Sequence, residues 1–283
     1  MPKVVRRLLF RRMARHSVLM RGVTRGSDRF LSGMNTYLLK IGPENLGTGY
    51  IGPIDRRIAA AYPVLAIRLR LQETARMIAG GVARLLAARP RASLHLFNIG
   101  GGHASDSLNA LIVARAADAR VLEGRRIFLH VLDLERDAPD FGLRSLSALQ
   151  GPGAPLAGLD ITFNYVRYNW SDAKGLRDVI AGLEGGERVV ALSTEGALFE
   201  YGSDSDILSN LEVFREATPG DSFIVGSVTR DNSAIRSTFT ANRIPVVHRG
   251  LPVFGALIRP AGWAISESVE GFYSDVVRLV RDP

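Results

Sequence analysis

Gly100, Gly101 and Gly102 stand in a row directly after an apolar run, Leu94-His95-Leu96-Phe97-Asn98-Ile99. An acid, Asp133, closes a second apolar run, Ile127 to Leu132. Glycine tolerates positive φ and has no Cβ, so three in succession let a backbone turn sharply and come close to a ligand. A carboxylate at the tip of the next strand can accept hydrogen bonds from both hydroxyls of a ribose. A helix-like segment, Ser105 to Ala119, lies between the two runs. Strand, glycine turn, helix, strand and acid follow the order of a βαβ nucleotide-binding unit. The stretch from Ser93 to Asp133 therefore reads as a cofactor cradle.

Other residues could do chemistry around such a cradle. Ser193, Thr194 and Glu195 close another apolar run, and open α/β sheets bind ligands at the C-terminal tips of their strands. Glu195 could serve as a general base or hold an amine, against the alternative of a solvated loop acid. His248, in Pro245-Val246-Val247-His248-Arg249-Gly250, lies on a segment that could close over a substrate and is a second candidate base. His103 follows the glycine turn, either near the ligand or as a helix-start residue. Tyr37 and Tyr50 lie in a glycine-broken segment that could form a lid, with Tyr37 and Thr194 on the substrate side. Arg68 or Arg70 could pair with a ligand carboxylate, although a solvated helix face is the preferred reading of both. The 5 histidines lack paired spacing and cysteine is absent, so no metal site and no disulfide is expected.

The elements that must position these residues follow from periodicity. Asp55 to Ala61 and Val64 to Ala88 read as helices, the second with Leu65, Leu69, Met77, Ile78, Val82, Leu85 and Leu86 on a recurring face. Residues 1–90 are assigned to a helical N-terminal arm and cap, and residues 91–283 to the ligand-binding domain. Past the cradle, helices are expected at 138–149, 174–183, 205–217 and 232–242. Strands are expected at 160–168, 188–193 and 222–228. The tail, 263–281, reads as two strands joined tightly at Glu270-Gly271. Alternation of this kind implies α/β architecture: a Rossmann-like, doubly wound, mostly parallel sheet, here finished by a C-terminal antiparallel hairpin.

Composition narrows the function. The 283 residues are 46% hydrophobic and 23% charged, enough for a sizeable core. Nothing approaches the length of apolar sequence a membrane span needs, and a cytoplasmic protein is expected. The net charge of +8 is carried by residues 1–29, where Lys3 and eight arginines face Asp28 alone; residues 30–283 balance to zero. That argues against a nucleic-acid surface on the main domain. The arm alternates Val4, Val5, Leu8, Leu9 and Met13 with arginines. It could lie on a membrane surface, target the chain, bind RNA or dock on a partner; packing on its own body, or on a second copy as a homodimer, is the simplest reading.

Three classes compete for the cradle. A nicotinamide or flavin oxidoreductase needs G-x-G-x-x-G, but Ser105 stands at the third position, and the spacing to the acid exceeds that of the dinucleotide fingerprint. A non-catalytic Rossmann-like scaffold is the second. The third rests on a resemblance. Leu96-Phe97-Asn98-Ile99-Gly100-Gly101-Gly102-His103-Ala104 resembles motif I of the class I S-adenosylmethionine-dependent methyltransferases, with Asn98 where the family has an acid and Ala104 where it has a third glycine. The resemblance extends over residues 91–283 and implies that Asp133 binds the ribose and Leu134 packs on adenine. It implies that Asn169 contacts the adenine amino group with Trp170 beside the ring, and that the strand ending at Ser193 lines the reaction site. The implied cofactor is S-adenosylmethionine, held by Asn98, Gly100, Gly101, Gly102, Asp133, Leu134, Asn169, Trp170 and Ser193. The implied activity is methyl transfer to a small-molecule acceptor. Because Asn98 brings no charge to the ligand, an enzyme that cyclises, cleaves or rearranges cofactor or substrate without methyl transfer is the alternative.

Overall fold

The computed structural model describes residues 16–20, 37, 39–50, 52–183, 186–242 and 244–282. The chain divides into two compact units, Met1–Leu69 and Arg70–Pro283. The division falls inside a single helix rather than near residue 90. In the first unit, helix α1 (Pro53–Ala59) starts on a proline, whose missing N–H costs nothing in a first turn. Its buried Asp55 accepts from Ser17 Oγ at 2.6 Å and from Leu19 N at 2.9 Å. Leu19 and Ala59 form a small core against which Tyr37, Ile41, Leu46 and Ile58 pack. Tyr37 thus belongs to this unit's own packing. Tyr50 ends a 3-10 turn, Thr48–Tyr50. The arm outside 16–20 lies beyond the described residues, and with it Val4, Val5, Leu8, Leu9 and Met13.

Helix α2 (Tyr62–Ala87) enters the second unit at Arg70, and from there strands and helices alternate. They are β1 (Ser93–Ile99), α3 (Ser105–Ala117), β2 (Arg126–Asp133), α4 (Asp137–Leu149), β3 (Asp160–Arg167), α5 (Lys174–Ala181) and β4 (Arg188–Thr194). Then come α6 (Leu198–Tyr201), α7 (Asp204–Ala217), β5 (Phe223–Thr229), α8 (Ser233–Asn242), α9 (Gly250–Ile258), β6 (Trp263–Val269) and β7 (Ser274–Arg281). They form one 7-stranded sheet in the order β3-β2-β1-β4-β5-β7-β6. The first five strands run parallel, while β7 pairs antiparallel with both β5 and β6. The expected doubly wound sheet and terminal hairpin are both present.

Each face carries its own core. Leu94, Leu96, Ile127, Leu129, Val189 and Val225 pack with Ile78, Val82 and Leu86 of α2 and Leu108 and Leu111 of α3. Phe97, Ile99, Val190, Leu192, Ile224 and Val277 pack with Leu176 of α5, Leu211 and Phe214 of α7 and Phe254 of α9. Near-continuous apolar strands are what a sheet covered on both sides requires. Two elements were not expected from the sequence. Helix α9 carries Gly250, Pro252 and Gly255, which look like breakers, yet Pro252 falls in its first turn, where proline is tolerated. The single turn of α6 is too short to show a period.

Candidate functional site

The glycine turn bends as its residues allow. Gly100 has φ +61°, Gly102 φ +50°, and Ala104 takes a left-handed φ of +57°. Gly100 N donates to Leu132 O at 2.9 Å, carrying the β1–β2 pairing one step past the strand. A Cβ on Gly100 would lie 2.5 Å from the Ala197 Cβ and 3.1 Å from Trp170 Cζ3. Only glycine fits, and the loops that follow β1, β3 and β4 converge here.

Asp133 ends β2 beside that turn. Its Oδ2 accepts from Gly102 N at 2.8 Å and its Oδ1 from Glu135 N at 3.0 Å. Burial pushes the carboxyl above its ordinary range, and amide hydrogen bonds from Glu135, Gly102 and Leu134 partly offset this. It caps no helix: α4 begins after Arg136 with no side-chain cap. Leu134, next in the chain, is an exposed apolar side chain. Asn169 is exposed, and its Oδ1 accepts from Ser171 N at 3.2 Å. Trp170 is half-buried against the second core, with its carbonyl accepting from Asn210 Nδ2 at 2.7 Å. Ser105, the first residue of α3, is 8% exposed, and its Oγ is buried with no hydrogen-bond partner. An orphaned hydroxyl at a helix start beside a glycine turn is a ready donor to an anionic group.

Several of the expected ligand residues have hydrogen-bond partners within the protein. The Asn98 side chain is fully buried, with Nδ2 donating to Asp106 Oδ1 at 2.7 Å and to Ser193 Oγ at 2.5 Å. Ser193 is likewise buried and donates to Asp106 Oδ2. Thr194 is 0% exposed, and its Oγ1 accepts from Leu198 N at 2.9 Å, which starts α6. These three hydroxyl and amide groups hold the protein together at the strand tips. His103 is buried, with Nδ1 accepting from Ser105 N at 3.2 Å, the helix-start alternative.

Neither Glu195 nor Arg70 is solvated. Arg70 is not on a solvated face: its Nε donates to Glu195 Oε1 at 2.5 Å and its Nη1 to the two Glu200 oxygens at 3.0 and 3.1 Å. Burial alone would lower the guanidinium pKa, but the charges of Glu195 and Glu200 outweigh it and hold the group above its ordinary value. A carboxylate locked in that ion pair is a poor general base. Arg68, by contrast, reaches Glu44 at 3.4 Å within the first unit.

His248 remains as the candidate base. Its Nδ1 lies 3.2 Å from Arg230 O, just past the tip of β5, and its ring meets the Phe239 edge at 5.5 Å. A carbonyl only accepts, so Nδ1 donates to it, and in the neutral ring Nε2 is the acceptor nitrogen. The residues sequence reasoning missed are Ser105, Asp106, Glu200 and Ser227, whose Oγ accepts from Gly196 N at 2.8 Å. All are polar residues whose burial is set by tertiary packing and leaves no periodic trace. Among the described residues, no group of three or more His, Asp or Glu side chains is placed to hold a metal ion. No helix there is long and apolar enough to cross a membrane.

No known family profile matches the chain, and no curated protein sequence does. Solved structures do. A protein from Bordetella parapertussis described as a possible exported protein superposes with a TM-score of 0.61 at 18% identity, covering 94% of this chain and 86% of its own. An O-methyltransferase family protein from Burkholderia thailandensis superposes with a TM-score of 0.50 at 16% identity, over 81% of this chain and 60% of its own. This chain thus spans less than two thirds of the second protein. With the sheet order and the terminal hairpin, the second likeness shows that the chain has the α/β fold of an O-methyltransferase family protein.

Proposed function

We propose that the protein binds S-adenosylmethionine at the tips of β1, β2 and β3 and methylates a small-molecule acceptor. The observation that carries this is the 2.8 Å bond from Gly102 N to Asp133, which sets the glycine turn and the strand-tip acid side by side. The residues present fit the cofactor. Asp133 has about four acceptor sites, three of them taken by the amides of Gly102, Leu134 and Glu135, which leaves capacity for a ribose hydroxyl. Leu134 offers an apolar surface to the adenine, with Asn169 and Trp170 on the neighbouring loop. The orphaned Ser105 Oγ at the start of α3 suits a carboxylate.

The cofactor, when bound, supplies an electrophilic methyl group that an acceptor's nucleophile takes by in-line displacement. The chain's work is alignment and exclusion of water, with a base needed only for a poorly ionised nucleophile. His248 Nε2 is that base in this reading, oriented by the Arg230 carbonyl. The alternative of a non-methylating enzyme rested on Asn98, and its hydrogen bonds to Asp106 and Ser193 give that residue another explanation.

Calorimetric titration with S-adenosylmethionine tests the reading. Wild-type protein should bind, and Asp133→Asn should bind about ten- to a hundredfold more weakly, the value of a charge-assisted hydrogen bond. Incubation of the enzyme and methyl-labelled cofactor with a low-molecular-mass extract should then yield S-adenosylhomocysteine and a labelled small molecule. Release of methylthioadenosine instead would favour cofactor cleavage.

A further inference from the structure

The amide at position 98 is explained by a carboxylate eight residues on. Asn98 Nδ2 gives one proton to Asp106 Oδ1 and the other to Ser193 Oγ, while Asn98 Oδ1 accepts from Ser107 Oγ at 2.9 Å. Ser193 donates its own proton to Asp106 Oδ2, and Ser107 N donates to Asp106 Oδ1 at 3.0 Å. Proton counting leaves both Asp106 oxygens as acceptors and both Nδ2 protons of Asn98 as donors. All four residues are buried, at 0% for Asn98, 5% for Asp106, 2% for Ser193 and 1% for Ser107. An aspartate at 98 could not make these bonds and would set two carboxylates at 2.7 Å, a distance at which they share a proton. Asn98 and Asp106 are a matched pair.

The pair lies against the glycine turn. A Cβ on Gly101 would stand 2.3 Å from the Asn98 Cβ and 3.1 Å from its carbonyl oxygen. Asp106 is in the first turn of the 13-residue helix α3, where the helix dipole favours negative charge, and low-dielectric surroundings screen that charge little. We propose that Asp106 supplies the negative charge of the cofactor cleft, taking over from the strand-end acid of the resembled family and favouring the cationic methionine end of the ligand. It acts as a positioning residue, through Asn98 and Ser193 and through its field. The proposal rests on the cofactor reading above.

Calorimetry with three probes tests it. S-adenosylmethionine carries an ammonium and a sulfonium, S-adenosylhomocysteine only the ammonium, and methylthioadenosine neither. Asp106→Asn should weaken the first two by about tenfold or more and leave methylthioadenosine within about twofold. The exchange Asn98→Asp with Asp106→Asn keeps one amide and one carboxylate in the network. It should fold, by circular dichroism and thermal melting, and recover most of the loss. Equal weakening of all three probes by Asp106→Asn, no weakening at all, or a folded exchange variant as weak as the single one would overturn the role of Asp106 while leaving the cofactor reading in place. Wild-type protein that binds none of the three would overturn the cofactor reading, and the assignment with it.

Discussion

Ala104 holds a conformation that L residues rarely adopt, at the last step of the glycine turn and fully buried. A left-handed alanine costs about 1–2 kcal/mol. Ala104→Gly relieves that cost, but loses about 0.8 kcal/mol of methyl burial and about 0.4–1 kcal/mol to the freer unfolded chain. The terms nearly cancel, so the glycine variant should unfold at close to the wild-type denaturant midpoint. Ala104→Val adds a β-branched side chain to a left-handed, closed site and should lower stability by about 2 kcal/mol or more. Equal midpoints for Ala104→Val and wild type would mean that the turn is not built this way. Gly100→Ala should unfold earlier than wild type and lose cofactor affinity, because its Cβ has no room beside Ala197 and Trp170. At this scale the cradle was legible, since a glycine run and a strand-end acid leave clear marks in sequence. The roles of Asn98 and Ser193 were not, because a hydrogen bond between positions 98 and 193 has no local signature.

Among elements, the loop from β4 to α7 is shaped by one side chain. The short α6 has no side-chain cap of its own, and Glu195 just before it and Glu200 within it close on Arg70 of α2. The side chains of Arg70, Glu195 and Glu200 are only 15%, 2% and 4% exposed, so the ion pairs are poorly screened. Arg70→Gln removes the guanidinium from two buried carboxylates and should cost about 3–5 kcal/mol in urea unfolding. Combining Arg70→Met with Glu195→Gln and Glu200→Gln removes the charges together and should unfold nearer to wild type; a triple variant as unstable as the single one would refute the clamp. Sequence reading placed the first six strands to within a residue or two, but started the last at Gly271, three residues before β7 begins at Ser274. It put Arg70 on a solvated face because its carboxylate partners lie 125 and 130 residues away.

At the scale of the molecule, the alternation of strands and helices was enough to give the sheet, the hairpin and the fold class. What it could not give was pairing across strands. The histidines showed no paired spacing, yet the β1–β2 register sets His95 opposite Phe128 and His130 opposite Phe97. His95 Nδ1 meets His130 Nε2 at 3.2 Å, between the stacked rings of Phe128 and Phe97. Burial first, and the neighbouring His95 second, push His130 down to about 3. The unfolded chain, with a histidine near its ordinary value of about 6.5, then binds a proton that the folded chain refuses. This contribution to stability is intact above that value and falls away as the pH drops toward the folded value. Unfolding free energy should decrease by about 2 kcal/mol from pH 7 to pH 5 on this account. The double variant His95→Phe with His130→Phe should show a shallower slope, and an unchanged slope would assign the acid sensitivity elsewhere.

The central claim is that the glycine turn and Asp133 together hold an adenosyl ligand. A crystal structure of the protein grown with S-adenosylhomocysteine tests it most directly. The account predicts density along Gly100 to Gly102, with both ribose hydroxyls in hydrogen-bond reach of the Asp133 carboxylate. An empty turn, or a sugar bound by other residues, would contradict it.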